Sequence, residues 1–429
     1  MLERRFGLSA HGTDVRTEVI AGATTFLTMI YIAFVNPQIL AEAGMDRGAV
    51  FVATCLATMV GTSIMGLYAN YPIALAPGMG LNAYFAYTVV LTLGYPWQAA
   101  LGAVFVSGVL FIILSLLRVR QAVVNSVPRP LKLAISAGIG LFLGLIGLQN
   151  AGLVTGHPTT LVTLGDVSRP EPGLALLGFA LIAALAWRRV PGAVLIGILA
   201  VTAAGLPFGL TSFQGVIARP PDPRPTLLAL DLAATLEVGF VTVVFTFFFV
   251  DLFDTAGTLI GVAHRANLLD EAGRLPRLNR ALLADSSATV AGSVLGTSTV
   301  TSYIESAAGT NAGGRTGLTA VVVAGLFGLT LFFAPLAAMV PAYATASALL
   351  YVAALMARGL AEIEWDDVTE YAPAVITAIG TPVTFSIATG IGMGFISYAA
   401  IKLLSGRWRE VGPAVLAIAL LFLLKFAIT

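Results

Sequence analysis

The chain has 429 residues, 58% of them hydrophobic and 10% charged, against about 25% charged in a soluble globular domain. This composition excludes a soluble fold and describes an all-helical polytopic membrane protein. A net charge of +1 with no basic patch outside short loops excludes a nucleic-acid partner. The lone cysteine, Cys55 in an apolar run, excludes a disulfide framework and a thiolate metal site.

A hydrocarbon layer of about 30 Å needs about 20 apolar residues per helix. Such runs predict fourteen spans, near 17–39, 48–68, 72–92, 97–117, 128–150, 172–188, 190–207, 232–262, 277–296, 298–313, 315–337, 339–358, 366–380 and 383–403. A further apolar segment covers 411–428, and whether it crosses or lies on the membrane is left open. Arg4, Arg5 and Arg16 precede the first span with no small-residue cleavage site, so that segment reads as a span and not as a removed signal peptide.

Cytoplasmic loops collect positive charge. With a cytoplasmic N-terminus, eighteen of the 23 basic residues fall inside, including Arg118, Arg120, Arg129, Arg274, Arg315, Lys402 and Arg407. Arg47, Arg169, Arg219 and Arg224 fall outside, and Lys425 lies within the last apolar segment. The proline-bearing connections 151–171 and 208–231 read as solvent loops. The stretch 358–370, with Glu362, Glu364, Asp366, Asp367 and Glu370, reads as a solvated acidic loop.

Two spans are interrupted. The third opens YPIALAPGMG and the tenth GSVLGTSTV, each an extended stretch that feeds a half-helix. Broken backbone at membrane depth is tolerated only where it is buried in protein or lines a cavity. The two breaks hold the third place in each set of seven spans, which predicts a 7+7 inverted repeat with the binding site at the breaks.

Acidic and amide groups lie where lipid-spanning sequence should have none: Asn82, Asp251, Asp254 and Glu305, with Glu237 at a helix start. A carboxylate at the bilayer centre costs about 2.5–3.5 kcal/mol. Asp251 and Asp254 are three residues apart and on a helix point to nearly the same face, toward one cavity or one neighbouring helix. Burial and a nearby like charge favour the neutral acid, so one of the pair is expected to hold a proton. Helix capping or bridging is the competing role for these aspartates, and capping or an interhelical bond for Asn82 and Glu305.

Half-helix starts offer unpaired N–H groups, while carboxylates accept N–H bonds. Together they suit a small planar molecule with adjacent donors and acceptors, such as a nucleobase. Tyr84, Phe85, Phe248 and Phe249 could supply a stacking face, although such rings are more often packing or lipid contact. His11, His157 and His264 lie in the tail or in loops, away from any proton relay. No His, Cys or carboxylate cluster has metal-ligand spacing, and SAGIGLFLGLIG in the fifth span is close helix packing. Asp285, in the ninth span, reads only as a network partner.

Several strings resemble the AzgA-type purine permeases, a branch of the nucleobase-cation symporters with the UraA-like fold: GTDVRTEVIAGATTFLTMIYIAFVNPQIL, ALAPGMGLNAYFAY, FFFVDLFDTAGTLIGVA, GTSTVTSYIESAAGTNAGGRTGLTA and TPVTFSIATGIGMGFISY. The resemblance covers nearly the whole chain. It implies short antiparallel β stretches in spans three and ten, and core and gate domains. The core comprises 1–117 and 232–337, the gate 118–231 and 338–410, with 411–429 as an extra segment.

It also implies a proton-linked importer of hypoxanthine, guanine or adenine in the inner membrane, working by alternating access. By the same token the chain is not an enzyme, has no cofactor beyond the coupling proton, and is expected to form a homodimer. Substrate contacts fall on Gly80, Asn82, Asp251 and Glu305, with Phe85 and Phe248 as candidate ring contacts. Proton coupling falls on Asp251, Asp254 and Glu305. The uracil branch places a histidine four residues after the acidic residue of span eight, where this chain has Thr255, so a histidine proton route does not transfer.

The alternatives are a transporter of anions, uracil or xanthine on the same fold, a di-aspartyl protease and a channel. Acidic site residues repel anions. Aspartates on one helix cannot face each other as a protease needs. Lone polar groups on broken helices suit occlusion better than a conducting row.

Overall fold

The computed structural model describes residues 2–117, 127–236, 240–266, 268–269 and 275–428. Glu237, Arg118, Arg120 and Arg274 fall outside the described residues, as do the side chains of His264 and Lys425. Among the described residues, nine helices are long and apolar enough to cross a membrane. With the shorter apolar helices and two interrupted segments they form a mostly helical, multi-pass membrane protein.

The first span is two helices, α1 (Val15–Met29) and α2 (Ile32–Glu42), meeting at Ile30 and Tyr31. Asp14 starts α1 by accepting from the Thr17 N–H at 2.8 Å, which satisfies one of the orphan donors of the first turn. Asp46 does the same for α3 (Arg47–Ile64), accepting from Ala49 at 2.7 Å. A π turn, Met65–Ala69, follows α3 and ends at Asn70 with φ 55°, a left-handed conformation that Asn tolerates better than most residues.

The third span consists of strand β1 (Leu75–Pro77), half-helix α4 (Met79–Ala83) and a π-helical continuation, Tyr84–Thr92. Then come α5 (Trp97–Leu116), α6 (Arg129–Asn150), β2 (Val154–His157), β3 (Leu161–Leu164), α7 (Pro170–Trp187) and α8 (Ala193–Ala204). The second half brings α9 (Phe240–Arg265), α10 (Leu278–Leu295), β4 (Val300–Ser302), half-helix α11 (Ser306–Asn311) and α12 (Gly317–Thr330). It closes with α13 (Ala334–Met339), α14 (Ala342–Ala357), α15 (Val368–Val383), α16 (Ile387–Leu404) and α17 (Pro413–Ile428).

The interrupted segments complete each other. Strands β1 and β4 pair antiparallel in the register Leu75↔Ser302, Ala76↔Thr301, Pro77↔Val300. Pro77 has no N–H, and the next donor, Gly78, bonds to Thr299 O at 2.9 Å. A Cβ on Gly78 would come within 2.6 Å of Thr301 Cγ2, so the close approach of the strands requires glycine there.

An open sheet edge in an apolar interior costs several kcal/mol per unpaired group, and each edge is closed by a threonine. Thr62 of α3 donates to Leu75 O and accepts from Leu75 N–H, both at 2.9 Å. Thr289 of α10 donates to Val300 O at 2.8 Å. The two threonines lie on the helices just before each interrupted segment.

The chain divides into two compact units, residues 1–118 with 168–348, and 119–167 with 349–429. The first holds both interrupted segments. In the second, α15 packs against α6 and α16 through glycines: a Cβ on Gly138 would meet Ala378 Cα at 3.3 Å, and one on Gly390 would meet Thr381 N at 2.8 Å. The glycine-rich stretch of α6 is therefore close helix packing, as small residues allow. Phe422 of α17 sits over Gly392 of α16. At 16 residues, α17 is about 24 Å long.

Two connections read as solvent loops carry local structure of their own. Residues 154–164 form a β-hairpin, with Val154↔Leu164 through His157↔Leu161 in register. The β-branched residues Val154, Thr155, Val162 and Thr163 favour strands, a signal masked in the sequence by neighbouring Gly and Pro. The acidic stretch is likewise not simply solvated at its end. Lys402, whose side chain is fully buried, bonds to Glu370 and to Glu410, and Arg407 bonds to Asp367, Thr369 and Glu410. Glu362 pairs with Arg129 on an exposed surface, where such a pair contributes little.

Candidate functional site

The β1–β4 pair brings the starts of α4 and α11 to one place within the first unit, alongside α9. Asn82 of α4 is fully buried. Its Oδ1 accepts from the Ser298 hydroxyl, while its Nδ2 has no hydrogen-bond partner among the described residues. An unpartnered buried amide is costly, and this one offers two N–H donors to a ligand. Gly80, two residues earlier, is buried in the same half-helix.

Glu305 stands immediately before α11, half-buried and making no capping bond to the helix. Its Oε1 accepts from the Tyr31 hydroxyl at 2.7 Å. Asp254 of α9 is also half-buried. It is a hydrogen-bond neighbour of Thr301 and lies close enough to Glu305 to feel its charge. Tyr303 lies beside both carboxylates, and its hydroxyl donates to Pro77 O at 2.5 Å, which ties β1 to the start of the second half-helix.

Asp251 and Asp254 have different neighbours. Asp251 is 1% exposed, and its Oδ1 is 3.4 Å from the Thr255 hydroxyl. That hydroxyl also lies 2.9 Å from both oxygens of Asp285 and 2.8 Å from Thr301 Oγ1. Asp285 is fully buried and also accepts from Ser302 at 3.2 Å. Thr301 therefore links two environments: a sealed one holding Asp251, Thr255 and Asp285, and a half-buried one holding Asp254 and Glu305. Buried carboxylates persist only with such partners.

The candidate aromatic residues are engaged in ring packing. Phe85 is fully buried and tilted against Phe247, with centroids 6.4 Å apart, and Phe248 meets Phe111 edge-on at 5.7 Å. Tyr84 packs edge-on against Phe247 at 4.9 Å. Among the described residues, no group of three or more His, Cys, Asp and Glu is placed to hold a metal.

Sequence reasoning missed Tyr31, Ser298 and Thr301 and gave Thr255 no role of its own. The one available signal was the hydroxyl-rich run Thr297–Ser302 in an apolar span. Each of these hydroxyls meets a residue distant in the chain, which local pattern cannot show.

A family profile described as "Permease family" (Xan_ur_permease) matches residues 16–394. The chain is 51% identical to adenine permease AdeP of Escherichia coli (strain K12), over 99% of this chain and 96% of that one. It is 47% identical to guanine/hypoxanthine permease PbuG of Bacillus subtilis (strain 168), over 97% of each. Among solved structures, the transmembrane domain of the cyanobacterial bicarbonate transporter BicA superposes with a TM-score of 0.66 at 17% identity, covering 88% of this chain and 97% of that one. That likeness is one of fold alone. With the profile matching most of its length, the chain belongs to this permease family of membrane transporters.

Proposed function

We propose that the protein imports purine nucleobases, adenine, guanine or hypoxanthine, together with protons across the cell's inner membrane. One observation carries this reading. A buried amide donor on Asn82 lies beyond one end of the β1–β4 pair, and two carboxylates close to each other, Asp254 and Glu305, adjoin the pair beside Thr301 and beyond its other end. A purine presents ring N–H groups beside ring nitrogens or a carbonyl, so its N–H groups suit the carboxylates and its acceptors suit the amide. The names of the relatives point to the same class of solute.

In this reading Gly80 and Asn82 on one side and Glu305 on the other hold the base, and Asp251 supports the pocket through Thr255. A proton held between Asp254 and Glu305 removes the repulsion of two like charges in a place of low dielectric. That supplies a reason for proton and purine to move together. Movement follows an elevator-like alternating access of a core, 1–117 and 232–337, against a gate, 118–231 and 338–410. The fourteen-span 7+7 repeat, the cytoplasmic N-terminus and a homodimer belong to the same proposal. The matched threonines Thr62 and Thr289, at like places in the two halves, support the repeat.

The test is uptake of radiolabelled adenine, guanine, hypoxanthine, uracil and sulfate into proteoliposomes, with and without an imposed proton gradient. Purine uptake driven by inward acidity is expected, and Asp251→Asn should abolish it in a folded protein. Uptake of sulfate or uracil in place of purines would overturn the reading.

A further inference from the structure

Helix α1 runs beside the second half-helix in the opposite direction and is joined to it at both ends. Near its start, Glu18 is fully buried. Its carboxylate accepts from the backbone N–H of Arg315 at 2.8 Å, Thr316 at 3.2 Å and Thr319 at 3.1 Å, and from the Thr319 hydroxyl at 2.6 Å. These are donors at the beginning of α12 that the helix itself leaves unpaired, and the helix dipole favours a negative charge there. The Arg315 guanidinium reaches back to the carbonyls of Thr310 at 2.6 Å and Gly314 at 2.8 Å, at the end of α11.

Between the ends there is no room for side chains. A Cβ on Gly309 would lie 2.6 Å from Ala21 O, one on Gly314 2.9 Å from Ala21 Cβ, and one on Gly313 2.6 Å from Thr17 Cγ2. At the far end, about 20 Å along the helix from Glu18, the Tyr31 hydroxyl donates to Glu305 at 2.7 Å.

We infer that Tyr31 is a positioning residue for substrate recognition: held in register by α1, its hydroxyl fixes the Glu305 carboxylate in the orientation that accepts the base. The inference rests on the reading of Glu305 as a purine ligand given above. A glutamate has three side-chain torsions, and this one makes no capping bond to α11. Beside the Tyr31 bond it has only a local one to its own backbone N–H; without the Tyr31 donor it is held less firmly, and the substrate must order it on binding. The Tyr31 hydroxyl and the residue's own backbone N–H take two of about four lone-pair sites on a carboxylate and leave the others for the ligand. The loss should therefore fall on affinity and not on turnover.

The experiment uses the full chain in proteoliposomes, with adenine, guanine and hypoxanthine each as substrate. Tyr31→Phe keeps the buried ring and removes only the hydroxyl. The expected result is a KM raised about tenfold with a maximal rate within about twofold of the unaltered protein, as fits loss of one bond to a charged group. Equilibrium binding is then measured for Tyr31→Phe in Glu305→Gln and Glu305→Asp backgrounds, where the change at Tyr31 should have no further effect because its acceptor is altered or withdrawn. A KM for Tyr31→Phe within twofold of the original overturns the inference, as does an undiminished effect in both Glu305 backgrounds. Absence of purine uptake by the unaltered protein would instead defeat the functional reading on which it rests.

Discussion

Replacing Thr255 by valine removes a hydroxyl and keeps the shape of the side chain, so it opens no cavity. In the fold this hydroxyl lies 2.9 Å from both oxygens of Asp285, 2.8 Å from Thr301 and 3.4 Å from Asp251, all buried. A hydrogen bond to a charged group contributes about 1.5–3 kcal/mol, and a desolvated acceptor deprived of its donor bears that cost in full. We therefore expect Thr255→Val to lose about 2 kcal/mol, which in a chain of this size lowers Tm by on the order of 2 °C.

Thr255→Ser keeps the hydroxyl and gives up one methyl group, a loss of about 0.8 kcal/mol. Serine should thus be the better tolerated of the two although valine is the more apolar. Thermal unfolding of the purified protein in detergent, read by tryptophan fluorescence, gives the ranking, and proteoliposome uptake checks it against function. If Thr255→Val unfolds at or above the temperature of Thr255→Ser, the hydroxyl does not hold the carboxylates and the network argument is wrong.

Two further outcomes follow from the packing and the charge pattern. Gly78→Val should abolish transport and reduce the folded yield, because even a Cβ at this position falls 2.6 Å from Thr301 Cγ2; a well-folded, active Gly78→Val would show that β1 and β4 need not approach so closely. Hydrogen bonds from Arg407, and next from Lys402, hold the Glu410 carboxyl below its ordinary value of 4.5. A depressed carboxyl stabilises the fold above the unfolded value, and that contribution is lost as pH falls below it. The Tm of the unaltered protein should be flat from pH 8 to 6 as far as this group is concerned and drop more steeply below about pH 4.5 than that of Glu410→Gln. Parallel curves for the two proteins would remove Glu410 from the account.

The span pattern is readable because it is written locally. Each helix carries its own apolar run, and several carry their own start signal, as Asp14 and Asp46 do. The interruptions at Pro77, Gly78 and Thr299–Ser302 are equally local. The hairpin at 154–164 escaped because Gly156 and Pro158 mark a turn in sequence and say nothing of the strands on either side. The buried lysine at 402 escaped for a different reason. Its glutamate partners, Glu370 and Glu410, lie in segments that taken alone look like solvated loops.

The site divides in the same way. That Asn82, Asp251, Asp254 and Glu305 must matter follows from the cost of polar groups in hydrocarbon, which depends on the residue and its immediate neighbours. Their partners do not follow. Asp251 and Asp254 share one helix, yet one belongs to Thr255 and the other stands beside Thr301 and Glu305. Asp285 had no role until Thr255 and Ser302 met it.

The sequence by itself determined the class of protein, the order of its apolar segments and which side chains were too polar for their surroundings, since hydrophobicity and desolvation act residue by residue. The tertiary structure alone decided that β1 pairs with β4, that Tyr31 holds Glu305 and that Glu18 caps α12. The bond from Thr319 to Glu18 spans 301 positions, and partners so far apart in the chain are selected by how helices pack and not by any pattern along it.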